Sequence, residues 1–482
     1  MIGTSVLHPR ARIVYGPFPG HNICYIPGKI VTALRIVSQI ESAVPLIHGP
    51  IGCSWQRKFL NIVPGPIVYY TPCTAWTEFE VVYGGEGKLL SAIVELYHRF
   101  HPDMIVVLTT CASDMAGDDV ASIVEEARKQ VPAIIVYSTG LKAGKFRQVG
   151  AQDVLLSIAE QYVLPYVEEK NLDIIENSVN IQSTGVHGGS EVEELAEAIR
   201  GIGIRILKIY FQNVKVRDLL YMARSELNIT PYRQLWADLV STRRGIRQYY
   251  IGNYDEPDIE KAHPSGIEGF KKVFLEIGKH FDKEGEAEEY LKLLERKHEK
   301  ELEKLRSALK DVKIAIDSYS ANIGIVLARE FNVKISALII STGRLFNFGL
   351  SKGAVKDLVE GTVNAVRRYS PDVEVIIDEP TSKICEKLSR LNIDLLIVNR
   401  GLAYSGRGFR VLTSRMLSIR ARQHHILGYK ATIEVAKTVH RAITKTLSPS
   451  DTRLVNFKEG THIISIPEKW DKLALLFGLN RS

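Results

Sequence analysis

The chain has 482 residues, 45% of them hydrophobic and 24% charged, with a formal net charge of +7. These proportions exclude a disordered or collagen-like chain, and the length calls for about two to four domains. No apolar run reaches the roughly 18–20 residues that cross a bilayer. The start, Met1-Ile2-Gly3-Thr4-Ser5, lacks the basic-then-apolar layout of a signal peptide. Basic residues are interspersed with acids. A cytoplasmic protein with neither membrane nor nucleic acid as partner is expected.

In chain order, Ile26 to Ala43 carries apolar residues at helical spacing (Ile30, Leu34, Val37, Ile40) and predicts a helix. Val44–Ile47 and Ile67–Tyr70 predict strands, Gly87–Phe100 a helix, and Met104–Leu108 a strand that ends just before Cys111. A helix over Asp118–Lys129 and a strand over Ala133–Tyr137 follow. The pattern then restarts twice. Ser178–Gln182 and Arg205–Tyr210 read as strands around a helix at Ser190–Arg200. A helix from about Gly285 to Lys310, with opposite charges four apart at Glu288–Lys292 and Lys297–Glu301, reads as a solvated connector. Beyond it the strands Lys313–Asp317, Lys334–Ile340, Val373–Ile377 and Leu395–Val398 alternate with helices near 320–331 and 353–368. One strand, Thr461–Ile466, is readable in the tail.

Strands alternating with helices of this length indicate βαβ units. The expected fold class is α/β, with three Rossmann-like parallel-sheet domains in series around a central cleft. Residues 1–175, 176–300 and 301–447 would be the domains, and 448–482 a C-terminal tail.

Four of the five cysteines, Cys24, Cys53, Cys73 and Cys111, fall in the first quarter of the chain. An odd number beside Gly and Pro does not suit a disulfide framework, and clustered thiols in a reducing compartment are metal ligands or catalytic groups. Cys53 and Cys111 both follow strands directly, so a doubly wound sheet would bring them to one edge. Gly49, Pro50 and Gly52 suit a backbone bent around a bulky ligand, which makes Gly52 a cofactor-binding candidate. The separations, 29 residues (53 − 24) and 58 (111 − 53), are too long for a ferredoxin or zinc-finger loop. Isolated cysteines are also ordinary small core residues, and spacing does not separate the two readings.

Several segments in fixed succession do. Cys24, then His48-Gly49-Pro50-Ile51-Gly52-Cys53, Val81-Val82-Tyr83-Gly84-Gly85, Pro102-Asp103-Met104, Thr110-Cys111 and Gly117-Asp118-Asp119 together resemble the nitrogenase component 1 superfamily. That superfamily includes nitrogenase subunits, cofactor-assembly scaffolds, dark-operative protochlorophyllide reductase and the reductive cyclase of nickel-tetrapyrrole synthesis. The likeness runs over roughly residues 20–445. It implies an iron–sulfur cluster, [4Fe-4S] or larger, held by Cys24, Cys53 and Cys111 and shared with a homologous or identical subunit in a dimer or heterotetramer. It also implies electrons from an ATP-dependent nitrogenase-reductase-like iron protein. Cys73 has no clear counterpart in the family and would be an extra or substitute ligand, or a core thiol.

Arg422-Gln423-His424-His425-Ile426-Leu427-Gly428-Tyr429 resembles an Arg-His-His-Pro-Tyr-Ala-Gly-Tyr segment of the scaffolds, which makes His424 and His425 the candidates for proton delivery. The chain departs from nitrogenase after Met222–Ile229, where Thr230-Pro231-Tyr232-Arg233 stands instead of a cofactor-anchoring cysteine. Arginines at 243, 244, 247, 400, 407, 410, 415, 420 and 422 would suit an anionic substrate. The inter-domain cavity is left with either a second metallocluster or a tetrapyrrole. Gly140-Leu141-Lys142-Ala143-Gly144-Lys145 is one residue short of a phosphate-binding loop and lacks its Ser/Thr, so nucleotide binding belongs to the partner. The resemblance implies an oxidoreductase subunit, with an assembly scaffold for a metallocluster as the alternative.

Overall fold

A computed structural model of the chain describes residues 29–54, 71–139, 149–183, 192–210, 214–253, 255–343, 351–398, 410–413 and 427–444. All of these but Thr444 lie in the first of two compact units, Met1–Ile443 and Thr444–Ser482. The expected strands Ile67–Tyr70 and Thr461–Ile466 fall outside the described residues.

Fourteen strands are described: β1 (Ile40–Glu41), β2 (Ala43–His48), β3 (Met104–Thr109), β4 (Ile134–Ser138), β5 (Ile175–Gln182), β6 (Arg205–Tyr210), β7 (Val214–Lys215), β8 (Ser225–Thr230), β9 (Arg247–Tyr250), β10 (Lys313–Asp317), β11 (Lys334–Ile340), β12 (Glu374–Ile377), β13 (Leu395–Val398) and β14 (Val411–Thr413). They form sheets ordered β2-β3-β4, β6-β5-β8-β9 and β12-β11-β10-β13-β14, with a small β1-β7 pair. Every pairing is parallel. The chain is therefore α/β with three parallel sheets in series, as the alternation of strands and helices predicts.

The first sheet shows why. All six residues of β3 are buried, so a continuous apolar run is needed rather than an alternating one. Val106 and Leu108 face a core shared with the helix Lys29–Val37 and the helix Val149–Ile158. Ile105 and Val107 face a second core with Leu89, Ile93 and Val124 from the helices Glu86–Phe100 and Val120–Gln130. Burying both faces is what a parallel sheet requires.

Two expectations are corrected. The helix predicted over Ile26–Ala43 ends at Val37. Ile40 keeps the helical spacing and is buried, but it does so in β1, paired with Val214, and Ser42 then turns the chain in a left-handed conformation. The helix Glu284–Leu309 is not simply a solvated connector. It buries a stripe of Ala287, Leu291, Leu302, Leu305 and Leu309 and packs on the helix Gly266–His280. Glu301 pairs with Lys437 of the helix Tyr429–Thr444, not with Lys297.

One buried carboxyl ties distant parts of the chain together. Glu194, 7% exposed, accepts the backbone N–H of Tyr429 (3.1 Å) and of Lys430 (2.9 Å) at the start of the last described helix. Glu194→Ala leaves those donors without a partner and is expected to cost about 2–4 kcal/mol. Glu194→Gln keeps one acceptor and should cost less. Urea unfolding of the two variants measures the difference.

A thiol-bearing edge of the first sheet

After β2 the chain returns as Thr71–Trp76 on the outer side of the same strand. Ile47 pairs with Cys73 and Pro50 with Trp76, both parallel. The bonds Ile47 N–H to Pro72 O (2.8 Å), Thr74 N–H to Ile47 O (3.0 Å) and Trp76 N–H to Gly49 O (3.1 Å) fix the register. The next strand, β3, lies on the other side of β2. The strand order thus reverses between β2 and β3, and in open α/β sheets the crevice at the carboxyl ends of such a pair is where ligands bind.

The thiols emerge at that crevice. Cys53 sits in a single helical turn, Ile51–Ser54, directly after β2, and Cys111 opens the helix Cys111–Ala116 directly after β3. Cys111 is exposed and Cys53 half-buried. Burial pushes the Cys53 thiol up, and the nearby Cys111 adds to the shift. Cys73 is pushed up to about 11, by burial first, with Cys53 adding and the Ala75 N–H opposing. Cys53 and Cys111 thus follow neighbouring strands, while Cys73, paired with Ile47, is buried in the core beneath them. Gly52 is exposed beside Cys53, with open space where a side chain would lie. Cys385, the fifth cysteine, is buried in the core of the third sheet.

A rigid frame surrounds them. His48, wholly buried, bonds through Nε2 to Asp118 Oδ2 (2.8 Å) and through Nδ1 to Thr74 Oγ1 (3.2 Å). Burial pushes its pKa down against the pull of Asp118, so the neutral ring donates from Nε2 and accepts from Thr74. Asp118 Oδ2 also accepts the N–H of Gly85 (2.9 Å). Gly117-Asp118-Asp119 leads into the helix Val120–Gln130. The two aspartates divide the work: Asp119 caps Ser122, and Asp118 joins His48 to the Gly84–Gly85 turn. Gly85 is required there, because a Cβ would stand 2.3 Å from the Trp76 indole nitrogen. Glu80, held down to about 2 by Lys88 and by the Thr77 hydrogen bonds, closes a capping box just after Cys73. Lys88 also donates to Ala75 O (3.3 Å).

The donor set fits an iron–sulfur group. Two soft sulfur donors, Cys53 and Cys111, follow neighbouring strands, and Trp76 Nε1, Thr71 Oγ1 and Asp114 Oδ2 are buried in the adjoining segments with no hydrogen-bond partner among the described residues. No three His, Cys, Asp or Glu side chains among the described residues are arranged to hold a single metal ion. A cluster, whose thiolates take separate irons, does not need that arrangement. Outside the thiols the surface is apolar. Phe79, Val82, Tyr83 and Met115 are 63–87% exposed on the helices Glu78–Tyr83 and Cys111–Ala116, which pack together. Exposed apolar surface of this kind marks interaction sites.

Cys24, His424 and His425 lie outside the described residues, as do Arg400, Arg407, Arg415, Arg420 and Arg422. Three of the arginines assigned to an anionic substrate are engaged structurally. Arg243 pairs with Glu168, Arg244 donates to Leu172 O (2.6 Å), and Arg247 pairs with Glu226 and donates to His280 O (2.7 Å). No helix among the described residues is long and apolar enough to cross a membrane.

Comparison with known proteins agrees with this architecture. Residues 29–444 match the family described as nitrogenase component 1 type oxidoreductase. The chain is 24% identical over 446 residues to the nitrogenase iron–molybdenum cofactor biosynthesis protein NifE of Nostoc sp. (strain PCC 7120), covering 87% of this chain and 82% of the relative. It is 26% identical over 220 residues to one of the subunits of the light-independent protochlorophyllide reductase of Nostoc punctiforme, 43% of this chain and 42% of that one. It is 28% identical over 197 residues to component CfbD of the Ni-sirohydrochlorin a,c-diamide reductive cyclase complex of Methanothermobacter thermautotrophicus, 40% of this chain and 54% of the relative. A solved structure of nitrogenase Cp1 superposes with a TM-score of 0.61 at 16% identity, over 89% of this chain and 90% of that one. The family match spans all of the described residues, and the chain belongs to the nitrogenase component 1 type oxidoreductases.

Proposed function

We propose that this chain is a nitrogenase-like oxidoreductase subunit. It carries an iron–sulfur cluster on Cys24, Cys53 and Cys111, shared with a homologous or identical subunit. It accepts electrons from an ATP-dependent [4Fe-4S] reductase partner and passes them to a substrate in the cavity between its domains. The observation that carries this reading is the convergence of Cys53 and Cys111 at the β2/β3 crevice, beside the exposed Phe79, Val82, Tyr83 and Met115. Thiols that must meet a second subunit's ligands need such an uncovered apolar rim. The protein's part is to place the sulfur donors, exclude water once the rim is covered, and so set the cluster's potential.

An anionic tetrapyrrole is the substrate class favoured, because two of the relatives are named for reductions of protochlorophyllide and of Ni-sirohydrochlorin a,c-diamide. His424 and His425 are the assigned proton donors. A second reading, a scaffold for metallocluster assembly, is favoured by the NifE match over 87% of the chain. The missing cysteine at Thr230–Arg233 argues against a nitrogenase-type anchor for such a cargo.

Anaerobic purification with iron and acid-labile sulfide assays and EPR tests the proposal. Stoichiometric iron and sulfide with an EPR signal on reduction are expected. A folded, colourless, iron-free protein overturns both readings. Molybdenum or a second iron pool that leaves for an apo-enzyme selects the scaffold.

A further inference from the structure

At the amino ends of the first sheet, opposite the thiols, lies a cavity of about 730 Å³, within the usual size of a small-molecule site. Ser42, Asp103 and Ala133, which precede β2, β3 and β4, stand on its wall. So does Tyr162, 9% exposed, whose hydroxyl finds no hydrogen-bond partner among the described residues. The helix Val149–Ile158 widens there into a single π turn, Ala159–Val163, before it resumes at Leu164. Such turns are rare and are frequent at functional sites. Gln161 of the same turn holds it to β4, accepting from Tyr137 N–H (3.0 Å) and donating to Tyr137 O (2.8 Å). The rest of the lining carries charges of both signs that do not neutralise each other. Glu41 and Lys215 are register partners across β1 and β7, yet no ion pair joins them among the described residues, and Arg217 and Asp103 have none either. Asp218, beside Arg217, is taken by Lys208. His101, left-handed at the end of its helix, sets its ring edge-on to Tyr97, centroids 5.4 Å apart.

We propose that this cavity binds a sugar phosphate, free or as the pentose phosphate part of a nucleotide. Lys215 and Arg217 take the phosphate, whose oxygens the guanidinium fork matches. The Tyr162 hydroxyl donates to the same group. Burial first, with Tyr166 and Asp103 adding, pushes its pKa up to about 12, so it keeps the proton it donates. Glu41 and Asp103 accept from the sugar hydroxyls. These carboxylates also select against bare anions, which bring no donor to offset the repulsion. The Tyr97 and His101 rings offer a wall to a base. Side chains hold the phosphate, so the site needs no glycine-rich loop, and it lies at the other ends of the strands from Cys53 and Cys111.

Isothermal titration calorimetry of the full chain with AMP, ribose 5-phosphate, adenosine and inorganic phosphate tests this. Saturable binding of AMP or ribose 5-phosphate is expected, with adenosine and inorganic phosphate about tenfold weaker or more, since each lacks either the phosphate or the hydroxyls. AMP tighter than ribose 5-phosphate identifies a nucleotide site, and AMP equal or weaker identifies a site for the sugar phosphate itself. Arg217→Ala should weaken binding by about tenfold or more and Tyr162→Phe by about fivefold. Neither change removes a hydrogen bond or ion pair among the described residues, so both urea midpoints should stay at the wild-type value, which separates recognition from folding. Absence of binding by both esters, inorganic phosphate binding as tightly as they do, or affinity unchanged in either variant overturns the inference. Iron content does not enter these measurements, so the proposed function stands or falls separately.

Discussion

Replacing Cys111 by serine is expected to reduce retained iron by about tenfold or more while leaving the apo-protein's folding unchanged. The two halves of that expectation have separate causes. Cys111 is exposed at the first position of its helix, and the cap of that helix is Thr110, whose Oγ1 accepts from Ser113 N–H while Ser113 Oγ accepts from Thr110 N–H. Neither bond involves the thiol, so the side chain contributes little to the fold. Under the proposed function, its place at the β2/β3 crevice serves ligation. Cys53→Ser should lose iron to a similar degree, with a small stability cost because that thiol is half-buried. Iron and sulfide analysis with EPR, beside urea unfolding of the apo-proteins, separates ligation from folding. Full iron in Cys111→Ser would remove it from the ligand set.

Much of this edge was legible because strong local signals agree with the tertiary answer. The run Met104–Leu108 is apolar at every position, so a fully buried strand was the sound reading, and Cys111 had to follow its carboxyl end. The six residues Thr71–Trp76 were not legible. They contain a proline and no alternating pattern, and they lie along β2 only through two bridges, to Ile47 and Pro50, across 26 residues of chain. Single-sequence patterns do not carry such non-local pairing. Trp76 and the specific role of Asp118 were missed for the same reason. The helix boundary at Val37 failed differently: Ile40 satisfies the helical period by coincidence while serving β1. The stripe Ala287–Leu309 was present in sequence at helical spacing but was hidden among charges. The arginines at 243, 244 and 247 show the limit of charge counting, since their partners come from Glu168, Leu172, Glu226 and His280, elsewhere in the chain.

The frame around the thiols makes the edge sensitive to one backbone position. Gly49 has φ = 153°, and a Cβ there would stand 2.2 Å from Thr110 Oγ1 and 2.8 Å from Thr110 Cγ2. Thr110 is not free to retreat. Its hydroxyl donates to His48 O (3.1 Å), and its Oγ1 and N–H form the box that starts the Cys111 helix. Gly49→Ala must therefore strain the turn, displace His48 from Asp118, or uncap the helix that places Cys111. A loss of about 3 kcal/mol is expected from strain and overpacking together, with iron retention falling alongside. Thr110→Ala alone should cost about 1 kcal/mol, the usual worth of a cap. The double variant decides which cause dominates. Thr110→Ala removes both the oxygen and the methyl group that the new Cβ would strike. If collision is the cause, the double variant is more stable than the sum of the single losses predicts. If the backbone angle is the cause, the losses add, because Gly49 keeps its φ whatever faces it. Urea unfolding of the four proteins gives the coupling energy. Additive losses with full iron in Gly49→Ala would show that the close approach of Gly49 to Thr110 does not position the thiols.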